Sequence, residues 1–395
     1  ELRVAKLQGL PPSLPKKAAG SSSAVYYVSA RHGDDSNPGT RRKPWKTLDQ
    51  ACRKIQPGDT VVIFPGVYRQ EQFDFRPPGT EIQRRTTFRF AWEDNWSGRA
   101  VLTRPDDEAP DFSLAPYTRL EGLWIGGRLP ADPKVCRHGF TNREGIEMVR
   151  CTVWAHQRGR DEHMYGLLCG NTAVNMLLQD CLLVHLGGHW FDHAIYVSGG
   201  PPPTTQDCRL VGNVFLQGGG FAISCWHTPK NITIVGNFIS GHTCGLVAQG
   251  PGHILHHNVI WKPLGKPDDP NMNICAMLSN DLIRFDHHVL FSTRPIDGKG
   301  KPQQPPIHNY SLTGNQGTQV NLIPLLPSQL VRLPWVAQSP QAIESTIQRL
   351  DQYFSTNTPE QIAQDSGPLV ENCLQILRVK YQPTDADLAS RPVKE

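Results

Sequence analysis

Three short phrases limit this chain more than its composition does. GNVF, GNFI and HNVI each set an Asn before an apolar, β-rich run, and the residues concerned, Asn213, Asn237 and Asn258, lie 24 and 21 residues apart. His288 in HHVLF continues the series 30 residues further on. A unit of roughly 20–30 residues recurring with its apolar positions in phase marks a solenoid, because one repeat cannot bury its own apolar side chains and must stack on its neighbours. An Asn that recurs at one inward bend has a physical use there. Its amide can donate and accept along the stack, which satisfies buried polar groups of adjacent coils.

Other segments have the same texture: LEGLWIGG (120–127), EGIEMVRCTVWAH (144–156), NMLLQDCLLVHLGG (175–188), CRLVGNVFLQGGG (208–220) and NITIVGNFISG (231–241). Their apolar runs are four to six residues long and broken by Gly, too short for helices. With 35 Gly, 34 Pro and only 19% charged residues, the chain suits many short strands joined by tight turns. The insertions GGPPPTTQ (199–206) and KPLGKPDDPNMN (262–273) are expected to project from a common bend and to help build a binding face.

A stack of strands has two open ends that need covering. At the first, Thr47 can cap a short helix with Gln50 three residues on, and Leu48, Ala51, Cys52 and Ile55 give it an apolar face. At the other, residues 340–354 begin with Pro and place Ala342, Ile343, Ile347 and Leu350 near one face. A further helix is expected at 368–379, packed against the last coils. The expected organisation is a flexible arm at 1–24, a β-helix domain with its N-terminal cap at 25–330, and a C-terminal extension at 331–395 whose helices pack on the β-helix.

The formal charge of +4 provides no strong basic field, so a nucleic-acid partner is not expected. No run of about 18 apolar residues is present, so no membrane partner is expected either. Residues 1–24 lack the apolar core of a signal peptide. The ten cysteines fall mostly in or beside apolar strand segments and read as buried core thiols, with no CxxC pair to mark a metal site.

The segment from Tyr26 to Gln70 carries YYVS, NPGT, PWKTL, a helix core with Ala51 and Ile55, PGDTVVI and PGVYR in that order. It resembles the opening of the pectate-lyase-like superfamily, and the coil phrases between 119 and 291 extend the likeness over most of the chain. The resemblance implies an all-β right-handed parallel β-helix solenoid with an N-terminal capping helix and a C-terminal helical flank. It also implies a carbohydrate-active protein, secreted, periplasmic or on the cell surface, with a polysaccharide or oligosaccharide as partner. Relatives include lyases, epimerases, glycosidases and binding proteins, so the fold alone does not choose among them. Calcium-dependent members hold the metal with clustered carboxylates. Asp34 with Asp35 and Asp268 with Asp269 are loop pairs without an evident third ligand, so no cofactor is predicted and calcium is left open.

Polar residues concentrate in WAHQRGRDEHMYG (154–166) and VHLGGHWFDHAIYV (184–197). Each phrase has a strand ending in His, a Gly-containing turn, an acidic residue and a second His. On successive coils, His156 would stack near His185, and Asp161, Glu162 and His163 would lie near Asp192 and His193. β-Elimination of a uronate needs a neutralised carboxylate, a base for the C5 proton and an acid for the leaving oxygen. His163 or His193 serves as base because imidazole titrates near neutrality, with Asp161 or Asp192 orienting it and Tyr165 or Tyr196 as acid. Arg158 and Arg160 can clamp a carboxylate, Trp190 can stack on a sugar, and His189, Trp226, His227 and His242 extend the substrate-binding strip beside His156 and His185. Gln217 lies at a neighbouring bend. The expected activity is therefore a lyase acting on an acidic glycan.

Two alternatives stay open. A glycoside hydrolase would pair Asp161 or Glu162 with Asp192. A non-catalytic glycan-binding β-helix would use Trp190, Trp226 and Trp261 with the two arginines as a recognition strip. His163, Asp192 and His193 are also ligand types, but without a tight spacing motif no metal is predicted.

Overall fold

A computed structural model describes residues 23–76, 84–92, 97–128, 138–139, 144–156, 167–169, 173–186, 192–199, 204–261, 274–279, 284–291, 307–310, 319–322, 338–381 and 384–385. Its strands wind through three parallel sheets, each coil contributing one strand to each sheet. The chain is a right-handed parallel β-helix. One coil shows the plan: Arg209–Val211 lies in the first sheet, Val214–Leu216 in the second and Phe221–Trp226 in the third. Each pairs in parallel with its counterpart in the next coil, Thr233–Val235, Phe238–Ser240 and Cys244–Ala248.

The asparagine series forms the predicted ladder. Asn213, Asn237 and Asn258 are fully buried at the bend between the first and second sheets. The Oδ1 of Asn237 accepts from the N–H of Asn213 at 2.9 Å and from its side-chain amide at 3.0 Å. Asn258 does the same for Asn237, both at 2.9 Å. Each side-chain amide also donates to the preceding coil, to the carbonyls of Leu178, Leu210 and Ile234. The residue before each Asn explains the motif: Gly212, Gly236 and His257 all have φ between 53° and 67°, the left-handed conformation that turns the chain inward. Cys181 holds the next rung, its N–H donating to Asn213 Oδ1 at 2.9 Å. In backbone register Val259 pairs with Val289, which sets His288 beside Asn258 as the spacing implied.

The N-terminal cap forms as expected. Helix α1 (Leu48–Lys54) starts at Thr47, whose side chain accepts from the N–H of Gln50, and buries Leu48 and Ala51. Cys151, Cys181, Cys208, Cys225 and Cys244 are buried free thiols, which matches the reading of them as core residues.

The C-terminal helices differ from expectation in place. Helix α2 (Pro340–Thr356) is followed by α3 (Pro359–Gln364), which was not foreseen, and by α4 (Leu369–Leu377). They do not collect at the last coils. They lie along the outer side of the second sheet, in one apolar cluster that runs from Trp261 back to Val101. Phe354 stacks on Trp124 at 5.8 Å and meets Trp154 at 5.8 Å, and Trp261 Nε1 donates to Glu344 at 2.6 Å. The reason is the apolar outer face of that sheet, with Trp124, Trp154, Leu182, Val184 and Trp261, which needs a cover along its length. Trp261 is thus a packing residue, 1% exposed, and not part of a recognition strip.

The outer faces of the three sheets therefore differ. The first carries ion pairs, among them Arg119 with Glu147 at 2.8 Å and Arg85 with Glu147 at 2.9 Å. The second is covered by helices, and the third holds the aromatic and imidazole side chains described next.

Candidate functional site

Strands His193–Ser198 and Phe221–Trp226 are neighbours in the third sheet, with His193 opposite Phe221, Tyr196 opposite Ser224 and Ser198 opposite Trp226. Ala194, Ile195 and Val197 enter the core with Ala222, Ile223 and Cys225, which leaves His193, Tyr196, Phe221 and Trp226 on the outer side. The imidazole of His193 stacks on the Tyr196 ring, centroids 4.4 Å apart and planes at 13°, and on Phe221 at 5.4 Å and 24°. His227, at a bend with φ 60°, turns its ring edge-on to Trp226 at 6.4 Å and to Tyr196 at 6.5 Å. Its N–H donates to Gln249 Oε1 at 3.0 Å. Phe221 packs with Cys244 and Val247 of the next strand, with Trp226 against them, so an apolar floor adjoins the imidazole.

That floor sets the protonation states. Desolvation lowers the pKa of His193 to about 4, outweighing the adjacent Asp192 carboxylate, which raises it. Burial raises the Tyr196 phenol, with the Ser198 hydrogen bond opposing. Near neutral pH the pair is a neutral imidazole in contact with a protonated phenol, one able to take a proton and the other to give one.

The structure brings together Asp192, His193, Tyr196, Trp226 and His227 from the expected set. Arg158, Arg160, Asp161, Glu162, His163, Tyr165, His189 and Trp190 lie outside the described residues. The two phrases do occupy successive coils, since Leu168 pairs with Tyr196. His156 is described through its backbone alone, and the register corrects its expected stacking: Trp154 pairs with Val184, so Ala155 and not His156 comes level with His185.

Two histidines are removed from the substrate-facing set. His185 is 2% exposed, its Nδ1 3.1 Å from the Ala155 carbonyl and its Nε2 2.6 Å from Asp351 on α2. It fastens a helix to the solenoid. His242 is 1% exposed and buried against Gly218, where any Cβ would come within 2.3 Å of its ring. Burial takes its pKa to about 3, opposed by the Gly220 backbone. The two insertions also fail to share a bend, because 199–206 follows a third-sheet strand whereas 262–273 follows a second-sheet strand.

Phe221 was missed, although a signal existed: HAIYVS and FAISCW align on their shared Ala-Ile, which sets His193 against Phe221. Among the described residues no group of three or more His, Cys, Asp and Glu has metal-holding geometry. In the first loop Asp34 accepts from Ser36, and Asp35 accepts from Lys46 and Thr47, so both carboxylates serve the loop's own folding.

Residues 31–77 match a family described as a protein of unknown function, DUF1565. The uncharacterized protein YwoF of Bacillus subtilis is 38% identical over 65 residues, 16% of this chain and 14% of that protein. A lacto-N-biosidase of Bifidobacterium longum is 40% identical over 57 residues, 13% of this chain and 4% of that one. The chain thus spans a small fraction of the length of both curated relatives. Among solved structures, the GH136 lacto-N-biosidase from Eubacterium ramulus is similar over 68% of this chain and 56% of that one, with 13% identity and a TM-score of 0.41. Pectate lyase Pel9A is similar over 76% and 79%, with 14% identity and a TM-score of 0.41. By its own three parallel sheets, the chain is a right-handed parallel β-helix.

Proposed function

We propose that this chain is a carbohydrate-active enzyme that cleaves a uronate-containing glycan by β-elimination. The observation that carries the reading is the stacked His193 and Tyr196 pair, held neutral and protonated respectively on the outer face of the third sheet. His193 removes the C5 proton, the C4–oxygen bond breaks as the ring double bond forms, and Tyr196 supplies the proton to the leaving oxygen. Asp192 beside the imidazole favours the imidazolium produced by that step. Trp226 offers a partly exposed ring on which a sugar can stack. Arg158 and Arg160 supply the carboxylate clamp in this proposal, on sequence grounds. The superfamily resemblance of residues 26–70 supports a glycan as substrate, and in this proposal the enzyme acts on it as a secreted, periplasmic or cell-surface protein.

A hydrolase is the second reading, favoured by the short match to lacto-N-biosidase. It would require Asp192 to work with Asp161 or Glu162. A panel of acidic and neutral glycans, read by the ultraviolet absorbance of an unsaturated uronate and by reducing-end release, separates the readings. Absorbance with new reducing ends supports elimination, and reducing ends alone overturn it in favour of hydrolysis. Binding with silence in both channels leaves a non-catalytic glycan-binding protein.

A further inference from the structure

We propose that the N-terminal end of the solenoid carries a second binding site, for the oxyanion groups of an acidic oligosaccharide, carboxylate or sulfate. A cavity of about 690 Å³ opens there between the first loop, the first coil and α3. This falls within the roughly 300–1,000 Å³ of small-ligand sites. Arg31, His32, Arg41 and Arg42 of the loop line it, with Arg69 of the first coil and Glu360 of α3. Glu360 is the carboxylate of that lining, and Arg69 already engages it together with Asp107. The remaining arginines leave the cavity with a positive excess. Arg31 and Arg42 are exposed and make no hydrogen bond or ion pair among the described residues.

The wall that bears these arginines is built in advance. Asp35 accepts from the N–H groups of Lys46 and Thr47, both at 2.9 Å, and from the Thr47 hydroxyl at 2.8 Å. Trp45 Nε1 donates to the Asn37 carbonyl at 2.8 Å, and Gly33 lies so close to the Trp45 carbonyl that a Cβ would stand 2.1 Å from it. The opposite wall is fixed by the N–H of Arg99 donating to the Ala363 carbonyl at 2.9 Å. Guanidinium groups on a rigid loop suit planar or tetrahedral oxyanions, because their paired donors match the oxygens and little ordering remains to be done.

This site is not the third-sheet cluster. The first coil and the coil of His193 are four coils apart, roughly 20 Å along the axis at a strand spacing of about 4.8 Å. The assignment to a saccharide rests on the glycan-active reading above, whereas the oxyanion chemistry does not.

The test is arginine modification by phenylglyoxal, mapped by mass spectrometry on the full chain. Oligogalacturonate, a uronate-free carrageenan oligomer and a neutral malto-oligosaccharide serve as probes. Protection of Arg31 and Arg42 by oligogalacturonate assigns a carboxylate ligand, and protection by the carrageenan oligomer assigns a sulfate. Labelling that neither acidic probe lowers below that of the probe-free protein, or equal protection by the neutral one, overturns the site. In calorimetry with the protecting probe, Arg31→Ala with Arg42→Ala should weaken binding about tenfold or more and leave any turnover unchanged. An unchanged affinity in that variant also overturns it. Protection that persists in a chain without glycan-cleaving activity leaves this site standing while the catalytic reading falls. Cleavage without protection removes this site alone.

Discussion

The outer sides of the second and third sheets are built alike and used differently. Both present aromatic residues on parallel strands of the one solenoid, though from different coils: Trp124, Trp154 and Trp261 on the second, Tyr196, Phe221 and Trp226 on the third. On the second, α2 to α4 turn the tryptophans into core, and Trp154 and Trp261 are each 1% exposed. On the third, Tyr196 and Trp226 stay partly open and His193 is stacked between rings. An outward aromatic on a β-helix is thus a packing residue or a contact residue according to what covers it. The imidazoles follow the same division, since His185 is consumed by Asp351 of α2 whereas His193 faces no described helix.

The comparison can be broken most directly at His193. His193→Ala should lower turnover ~100-fold or more with an unchanged circular dichroism spectrum, and Tyr196→Phe should also impair it. Retained turnover in both variants would end the assignment. The acid limb of the activity profile should fall near pH 4 and not near 6.5, because the folded His193 stays neutral down to about 4. The same depression has a stability consequence. Above the unfolded value of 6.5 the imidazole is neutral in both states and contributes no pH dependence. As pH falls from there to about 4, the unfolded chain binds a proton that the folded one refuses, so stability drops, on the order of 3 kcal/mol for this residue. His242, lowered to about 3, acts in the same direction. Denaturant midpoints measured between pH 7 and pH 4 check the sign.

On the covered side the expected effect is on stability alone. Phe354→Ala should cost about 3–5 kcal/mol, through the cavity left against Trp124 and Trp154, with residual turnover per folded molecule unchanged. A loss of activity larger than the loss of folded protein would show that the helices support the site. Inside the solenoid, Asn237→Ala should cost roughly 1–3 kcal/mol, since the Asn213 N–H and the Leu210 carbonyl lose their buried partner. The smallest effect belongs to Asp351→Ala. That carboxylate is about half exposed, so losing its contact with His185 should cost about 1 kcal/mol or less and leave turnover untouched. A marked activity loss there would restore His185 to the functional set.

Much of this architecture was legible because it is periodic. GNVF, GNFI and HNVI combine a left-handed bend with an inward amide, and a local rule repeated three times specifies a register. Thr47 with Gln50 gave the capping helix for the same reason, since a cap is read within one turn. The site was legible in part. DHAIYVS placed Asp192, His193 and Tyr196 on and beside one strand, yet the identical resource, a His at a bend, produced His185 and His242, which are buried. Residue type and spacing do not say which side of a bend a side chain takes, nor whether a segment more than 100 residues later will cover it.

By itself the sequence determined the stack, its asparagine ladder and the helical character of the C-terminal segment, because each depends on contacts between neighbouring turns or adjacent coils. Only the tertiary structure decided where that segment lies. Its apolar face could have covered the open end of the last coil or the second sheet, and the long-range match of Ile343, Ile347, Leu350 and Phe354 to the tryptophan face selected the sheet. That choice left the third sheet as the one bearing the stacked imidazole and phenol, since burial is a property of the whole packed molecule and not of any phrase within it.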